Sequence, residues 1–278
     1  MVLKTTLIHI KDLCRRKEFI ITFYVLLVLV LGNYLRNVIL YQGRDVTNMY
    51  QPMKLLSLSF NLASYNGDGV LFLIQIYPFL VVLPAGFSLA REEQTGEHIY
   101  ISSRIGRKTY IISKVLAAFC VNVLVFTIPF FIEIILNCIA FPLSAAEDLS
   151  NWSMYEEQMI DLVEKYFMSG LYIWNPYVYA IVGVILFGVA AGLWGALTVA
   201  ISAVIKIKYR VFLFIPSIVL LNLSLYLTSN EGINYRWYEY VLLFTEGEKN
   251  ILYFSGALLT LSLLVLLGTW KGSRKDSL

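Results

Sequence analysis

The sequence has little charge and few of the residue types that soluble enzymes use for catalysis. Only 15% of its 278 residues are charged, whereas a typical soluble domain carries about 25%. Neither of the two histidines, His9 and His98, has a cysteine or acidic residue at the spacing of a zinc site. The three cysteines cannot build a disulfide framework, and the motifs of intramembrane metalloproteases and serine hydrolases are absent. We therefore predict no catalytic residue, no metal site and no enzymatic activity for the chain by itself.

A nucleotide-binding motif is also lacking. Gly106, Arg107, Lys108 and Thr109 follow one another, but the Gly-x-x-x-x-Gly-Lys-[Ser/Thr] order of a phosphate-binding loop is missing. The net charge of +3 gives no indication of a nucleic-acid partner. We expect no cofactor in this chain, so that any active transport would draw its energy from another polypeptide or from an ion gradient.

Long apolar runs, by contrast, are abundant. Hydrophobic residues make up 58% of the chain, and the mean hydropathy is +0.69. Several runs reach the roughly 20 residues that a helix needs to cross about 30 Å of hydrocarbon. We predict an all-α polytopic membrane protein with a single transmembrane domain over 1–278 and six transmembrane helices. Their predicted bounds are 19–40, 70–90, 114–141, 176–205, 211–228 and 251–270.

The positions of the basic residues predict how the spans are oriented. Sixteen of the 22 lysines and arginines fall on one side of the predicted spans. Because short cytoplasmic loops are enriched in lysine and arginine, both termini are expected in the cytoplasm. The six basic residues on the other side are Arg36, Arg44, Lys54, Lys165, Arg236 and Lys249.

Three segments outside the spans have a recognisable pattern. In 1–18, apolar residues recur at helical spacing among basic residues, which predicts an amphipathic helix on the inner leaflet. Between spans 3 and 4, the apolar stripe of 156–168 lies opposite acidic residues, which predicts an extracytoplasmic amphipathic helix. The segment 236–244 is aromatic and apolar but too short to cross a bilayer, so we predict an interfacial or re-entrant segment.

Two features inside the spans are candidate functional positions. Glu133 is the one acidic residue deep in a span, and Asn137 follows it by one turn. A carboxylate in the membrane is costly unless it is paired or hydrated, so a polar functional site and a packed, hydrogen-bonded carboxyl are the two interpretations. In the fourth span, Gly188, Gly192 and Gly195 occupy positions typical of close helix packing, with a dimer contact or a substrate path as the alternative.

The loop between the second and third spans has the most specific pattern. An acidic pair and a glycine are followed by a short apolar helix, a small-residue turn with basic residues, and a lysine that enters the third span. These residues are Glu92, Glu93, Gly96, Glu97, Ile99, Ile101, Arg104, Arg107 and Lys114. In this pattern the chain resembles permease subunits of the ABC-2 type, the membrane half of many bacterial ABC exporters. It departs from them at Arg104, where a proline is common, and at Ser113, where a glycine often precedes the lysine.

The resemblance implies an exporter of the bacterial plasma membrane, built from two permeases and two ATPase subunits that bind ATP and Mg²⁺. The second permease would be a further copy of this chain or a homologous one. In this interpretation the loop residues contact the ATPase, and Ile99 and Ile101 insert into a groove on it. The alternative is a solvated loop whose basic residues only set the topology.

Other functions and the substrate stay open at this point. The rivals are an ATP-independent carrier or channel that uses Glu133, and a non-transporting membrane scaffold or sensor. An acidic outer surface could meet a cationic peptide, which makes peptide export a first hypothesis, although the same charges could simply keep an external helix solvated. The acidic residues are Glu147, Asp148, Glu156, Glu157, Asp161 and Glu164.

Overall fold

The fold is a bundle of helices, which we describe from a computed structural model. The structure describes residues 2–43, 51–60, 67–143, 163, 165–205, 209–226, 235–245 and 250–274. Within these ranges the chain is nearly all helical and forms no strand, apart from one isolated bridge between Ser59 and Leu243. The α-helices are α1 (Val2–Cys14), α2 (Lys17–Tyr41), α3 (Gly67–Leu80), α4 (Ser88–Thr95), α5 (Glu97–Ile105), α6 (Arg107–Ala140), α7 (Ser169–Trp174), α8 (Pro176–Val204), α9 (Ile215–Tyr226), α10 (Tyr238–Val241) and α11 (Ile251–Arg274).

Four of these helices are long and apolar enough to cross a membrane: α2, α6, α8 and α11. They correspond to the first, third, fourth and sixth predicted spans, so those four predictions are confirmed as helices. The largest difference is at α6, which begins at Arg107, seven residues before the predicted start at 114. This extension brings the basic end of the loop into the helix itself.

The second and fifth predicted spans are not continuous α-helices. The predicted helix 70–90 is divided into α3, hydrogen-bonded turns at 81–87, and α4. Pro84 explains the break, because proline lacks the N–H that would bond to the Leu80 carbonyl and continue the helix, whereas Pro78 lies within α3. The predicted helix 211–228 begins as a 3₁₀ helix, Arg210–Phe214, before α9. Pro216 lies in the first turn of α9, where a proline is tolerated at a helix start.

The centre of the bundle is the contact between α6 and α8. A buried aromatic group of Tyr77, Phe126 and Phe187 packs there, with ring centroids 5.3–5.7 Å apart. α11 approaches α8 through Gly268 and Gly272, which lie against Ala200 and Ala203. Much of the surface of α2 and α11 is exposed leucine, isoleucine and valine, as expected for helices that face lipid.

The bundle has two structurally different ends. One carries α4, α5, the start of α6 and the end of α11, and we call it the α5 end. At the other, here the far end, the chain around Ser59 lies beside the chain around Leu243, joined by hydrogen bonds of 2.9 Å from Phe60 N and Leu243 N. The predicted re-entrant segment 236–244 takes part in this pairing and contains only one short helix, α10.

The predicted amphipathic helices have different outcomes. The helix predicted within 1–18 is observed as α1, which ends at Cys14. Of the segment 156–168, residues 156–162 and 164 lie outside the described residues. Val163 is helical, whereas residues 165–168 form turns and a bend, with a left-handed backbone at Met168 (φ 58°). The acidic residues Glu147, Asp148, Glu156, Glu157, Asp161 and Glu164 also lie outside the described residues.

Candidate functional site

Charged and polar side chains from three helices meet at the α5 end of the bundle. We call this group the buried ionic cluster, and its members are His9, Asp12, Arg16, Glu92, Tyr110 and Lys114. α1 supplies the first two, Arg16 follows in the link between α1 and α2, α4 supplies Glu92, and α6 supplies the last two. The cluster therefore joins the N-terminal helix to both helices that flank α5.

Glu92 is the centre of the cluster. Its side chain is only 3% exposed, yet both carboxylate oxygens have partners. Oε1 accepts hydrogen bonds from the Lys114 ammonium and from Arg16 Nη2, the latter at 3.0 Å, and Oε2 accepts one from the Tyr110 hydroxyl. A buried carboxylate needs this degree of pairing, since desolvation would otherwise disfavour its charge by several kcal/mol.

Lys114 is fully buried, with 0% of its surface exposed. It lies two turns into α6, and its ammonium contacts Glu92 and lies 3.3 Å from His9 Nδ1. A protonated lysine has only donors, so His9 accepts through Nδ1 and carries its proton on Nε2. The imidazole also packs edge-to-face on Tyr110, with the ring centroids 5.8 Å apart.

The electrostatic environment fixes the charge states of His9 and Glu92. Burial, together with the Lys114 charge, lowers the pKa of His9 from 6.5 to about 4, so the imidazole is neutral near pH 7. For Glu92, burial acts to raise the pKa, but Lys114, Tyr110 and Arg16 together outweigh it and hold the pKa below its usual value. The cluster thus contains two cations, Lys114 and Arg16, and two anions, Glu92 and Asp12. Asp12 lies at the edge of the cluster with a side chain that is 52% exposed, and its Oδ2 lies 2.5 Å from Arg16 Nη2.

α5 lies beside this cluster and differs from it in exposure. None of its residues is buried, and Ile99 and Tyr100 are 57% and 77% exposed. A glycine with positive φ bounds the helix on each side, Gly96 at 77° and Gly106 at 81°. Other residues rarely adopt such angles. α5 is thus a short, separate helix between two sharp bends, with an apolar surface and no covering element among the described residues.

The predicted contact residues fall into two groups in the structure. Glu97, Ile99 and Arg104 are exposed on α5, and Gly96 forms the bend before it. Glu92 and Lys114 are buried partners of each other, so neither can meet another protein in this conformation. The expectation that Glu92 contacts an ATPase therefore does not fit the structure, because groups of this chain already occupy both of its oxygens, Lys114 and Arg16 at Oε1 and the Tyr110 hydroxyl at Oε2.

Three further predicted contact residues have intermediate positions. Ile101 is half-buried and packs against the core, so only Ile99 of the isoleucine pair points outward. Glu93 is also half-buried. Arg107 donates from Nε to the Gly272 carbonyl at 3.2 Å, which ties the start of α6 to the end of α11.

Glu133 lies towards the far end and is completely buried. Its Oε1 accepts hydrogen bonds from Asn33 Nδ2 (2.8 Å), Ser57 N (2.8 Å) and Ser57 Oγ (2.6 Å). Asn137 donates to the Pro52 carbonyl at 3.3 Å. These bonds attach the chain around 52–57 to α6 and α2, an arrangement that favours an anchoring role for Glu133 over a transport site.

The predicted glycine stripe of α8 lies against α6. A Cβ atom at Gly188 would meet Thr127, one at Gly192 would meet Val123, and one at Gly195 would meet Asn122. Asn122 Nδ2 donates to the Val81 carbonyl at 2.9 Å. The stripe thus makes room for a hydrogen bond that links α6 to the turns after α3.

Sequence analysis missed four members of the buried ionic cluster: His9, Asp12, Arg16 and Tyr110. A weak signal was available, because Thr6, His9 and Leu13 recur at helical spacing and form the buried face of α1. The sequence prediction instead emphasised the apolar stripe of α1, of which Leu3 and Leu7 are exposed.

No cluster in the described part of the chain has the composition of a metal centre: no group of three or more His, Cys, Asp or Glu side chains there could hold an ion. Comparison of the chain with protein-family models, with curated proteins and with solved structures finds no match. The function is therefore inferred from the sequence of the chain and from the arrangement of its side chains.

Proposed function

We propose that the chain is the transmembrane permease subunit of an ATP-driven exporter of the ABC-2 type, worked through α5 by a separate ATPase subunit. The observation that carries this proposal is that α5 is exposed, whereas the two helices that flank it, α4 and α6, are held together by buried contacts. α5 is exposed and separately bounded by Gly96 and Gly106. The helices on both sides of it are fixed to one another by the buried Glu92–Lys114 pair.

This arrangement suits a helix that transmits motion. A force on α5 passes into α4 and α6 at its two ends, and the buried ionic cluster couples those helices to α1. Because buried ion pairs hold a defined geometry, α4, α6 and α1 would shift together as a rigid body rather than bend separately. α6 continues to the far end, so its displacement would reach the region around Glu133.

The exposed surface of α5 also supports a protein partner. Ile99 and Tyr100 are large apolar side chains at a position where the neighbouring residues Glu97 and Arg104 are charged and exposed. Apolar groups rimmed by charges are typical of protein contacts. The proposed partner would carry the ATP and Mg²⁺ that this chain has no motif to bind.

The proposal also covers the membrane topology, the subunit composition and the substrate. α3 with α4, and Arg210–Phe214 with α9, would complete six membrane passages, with both termini and α5 in the cytoplasm of a bacterial cell. The complex would contain two permeases, two copies of this chain or this chain and a homologue, and two ATPase subunits. A cationic peptide is the proposed substrate.

Site-specific crosslinking tests the proposal. A photoreactive amino acid placed at Tyr100 in membranes of the native host should crosslink to one protein, and mass spectrometry should identify that protein as bearing a phosphate-binding loop. The purified pair should hydrolyse ATP, and transport in vesicles should require it.

A matched position at the other end of the bundle supplies the control. Leu252 is as exposed as Tyr100 but lies at the start of α11, at the far end, so the same probe there should not crosslink to the ATPase. Transport by the purified chain alone, without ATP, would contradict the proposal and favour a carrier.

A further inference from the structure

An apolar groove runs between α6 and α11 on the outside of the bundle. Its cavity has a volume of about 290 Å³ and lies next to the bond between Arg107 and the Gly272 carbonyl, at the α5 end. The lining residues are Lys108, Ile112, Val115, Leu116, Val265, Leu266, Thr269, Trp270 and Ser273. Nothing in the assignment of α5 requires this groove, so the inference below is independent of the proposed function.

Along both walls of the groove, the side chains change from apolar to basic towards the α5 end. On α6, Leu116, Ile112 and Lys108 follow one another at four-residue intervals, and therefore on one face of the helix. On α11, Leu266, Trp270 and Arg274 do the same. Since α6 starts and α11 ends at the α5 end, both walls run from an exposed leucine nearer the middle of each helix to a cation near the α5 end.

The cations at the mouth of the groove are available to a ligand. Lys108 is exposed and has no ion-pair partner among the described residues. Arg274 does not itself line the groove, but it lies over the ring of Trp270, which does, with Cζ 4.1 Å from the ring centroid. Among the described residues, no acidic side chain lines the groove.

The two hydroxyl groups in the wall of the groove are hydrogen-bonded within their own helix, so the wall is less polar than its residue composition suggests. Thr269 donates to the Val265 carbonyl at 2.6 Å, and Ser273 donates to the Trp270 carbonyl at 2.8 Å. Both donors are thus used within α11. A molecule in the groove would meet a mainly apolar wall, a tryptophan, and then two cations.

We propose that this groove binds a glycerophospholipid with an anionic headgroup, with an acyl chain between α6 and α11 and the phosphate at Lys108 and Arg274. The order of apolar wall, tryptophan and cation matches the order of acyl chain, interface and phosphate in a bilayer. Basic pockets between transmembrane helices are known sites for anionic lipid headgroups. A packed helix would fill the apolar part but would leave the two cations without a counter-charge.

Native mass spectrometry of the purified full chain can test this site. Phosphatidylglycerol and phosphatidylcholine are added in turn to the detergent-solubilised protein, and the bound lipid is titrated. Phosphatidylglycerol should bind preferentially. K108Q should weaken its binding about fivefold, and K108Q with R274Q should weaken it about twenty-five-fold, whereas phosphatidylcholine should change little.

The control is K271Q, which removes one positive charge from the same turn of α11 at an exposed residue outside the groove. It should retain wild-type binding of phosphatidylglycerol. I112W supplies a second variant, because it narrows the groove while both cations remain, and it should also reduce lipid binding. Equal loss with K271Q and K108Q, equal binding of the two lipids, or full competition by inorganic phosphate would each overturn the proposal.

Discussion

At the scale of single residues, the balance of charge around Glu92 decides the stability of the α5 end. Lys114 is fully buried, and among the residues that the structure describes its ammonium is hydrogen-bonded to Glu92 and His9 alone. A buried cation that loses its counter-charge typically destabilises a protein by about 3–5 kcal/mol. We therefore expect E92Q to lower the thermal unfolding temperature strongly, as measured by the fluorescence of the purified chain in detergent.

The control for E92Q is E97Q, which removes a carboxylate of the same type from an exposed position five residues away. It should leave the unfolding temperature nearly unchanged, since exposed charges contribute little. The double variant E92Q/K114M should recover part of the loss, because it also removes the unpaired charge. If E92Q and E97Q behave alike, Glu92 is not the buried counter-ion that the structure indicates.

His9 makes the docking of α1 dependent on pH. Its pKa falls from 6.5 to about 4 on folding, through burial and the charge of Lys114. A depressed folded pKa gives stability that is present above pH 6.5 and is lost as the pH falls towards 4, since protonation then favours the undocked helix. The pKa of Glu92 is also depressed, so its contribution is lost in the same direction at lower pH.

The pH dependence can be measured by hydrogen exchange of the α1 amides. Between pH 7 and pH 5, the free energy of α1 opening should fall by about 2 kcal/mol in the wild-type chain. H9N places an uncharged acceptor near the position of Nδ1 and should remove most of this dependence. The charged groups that act on His9 are Lys114, Glu92, Asp12 and Arg16, and an unchanged profile in H9N would contradict the assignment of the effect to His9.

At the scale of elements, the two glycines that bound α5 hold different conformations. Gly96 has the left-handed helical angles φ 77° and ψ −1°, whereas Gly106 has φ 81° and ψ 137°. A residue with a Cβ can adopt the first at a cost of roughly 1 kcal/mol, but the second is almost restricted to glycine. We expect G106A to destabilise the chain more than G96A in chemical denaturation.

The control for G106A and G96A is a glycine that lies within a helix and has no special backbone conformation. Gly256 lies within α11, and a Cβ atom there would have no described atom within 4 Å apart from its chain neighbours and the nearby backbone of its own helix. G256A should therefore be neutral or slightly stabilising, by up to about 1 kcal/mol, because alanine favours the helix. A smaller effect for G106A than for G96A would mean that α5 can relax its bends.

The contact between α8 and α6 depends on a small residue at Gly195. A Cβ atom there would collide with the Asn122 amide group, which donates to the Val81 carbonyl at 2.9 Å. G195A should move Asn122 away from this acceptor and leave buried polar groups unpaired, at a cost of about 1–3 kcal/mol. The N122A variant removes the same bond, so the two substitutions together should cost less than the sum of their separate effects.

Hydropathy predicted the four long helices of the structure, but it did not predict where an apolar segment breaks into shorter helices. α2, α6, α8 and α11 were found from apolar runs alone, because length and composition suffice for a membrane-crossing helix. The predicted helix 70–90 was wrong in its middle, although Pro84 was visible in the sequence. An apolar run extends through this proline, so a scale that only sums hydrophobicity cannot register the lost hydrogen bond.

The site was less predictable than the helices because its contacts join distant parts of the chain. Lys114 meets Glu92 across 22 positions and His9 across 105 positions. The loop pattern identified Glu92 and Lys114 as residues of interest, but it could not show that they pair with each other. Likewise, Glu133 was singled out for its position in the membrane, while its partners Asn33 and Ser57 come from other elements.

At the scale of the whole molecule, α5 is exposed while the helices that flank it are held together by the buried ionic cluster. We therefore expect substitutions on the surface of α5 to affect function without affecting stability. Ile99 and Tyr100 point away from the chain, so I99D and Y100D should leave the unfolding temperature nearly unchanged. Under the proposed function, the same variants should abolish binding of the ATPase and ATP-dependent transport, because a charge would be buried in the contact. E92Q should instead reduce stability and transport together.

The measurement is the rate of ATP hydrolysis by the purified complex in lipid nanodiscs, alongside the amount of ATPase retained on the tagged permease. K11D places an aspartate at an exposed position of α1, at the same end of the bundle, and changes the charge by two units rather than one, yet it should retain binding. Since only the surface of α5 would be altered in Y100D, loss of the ATPase from Y100D but not from K11D would localise the contact to α5. Retention of the ATPase and full activity in both α5 variants would place the contact elsewhere on the chain.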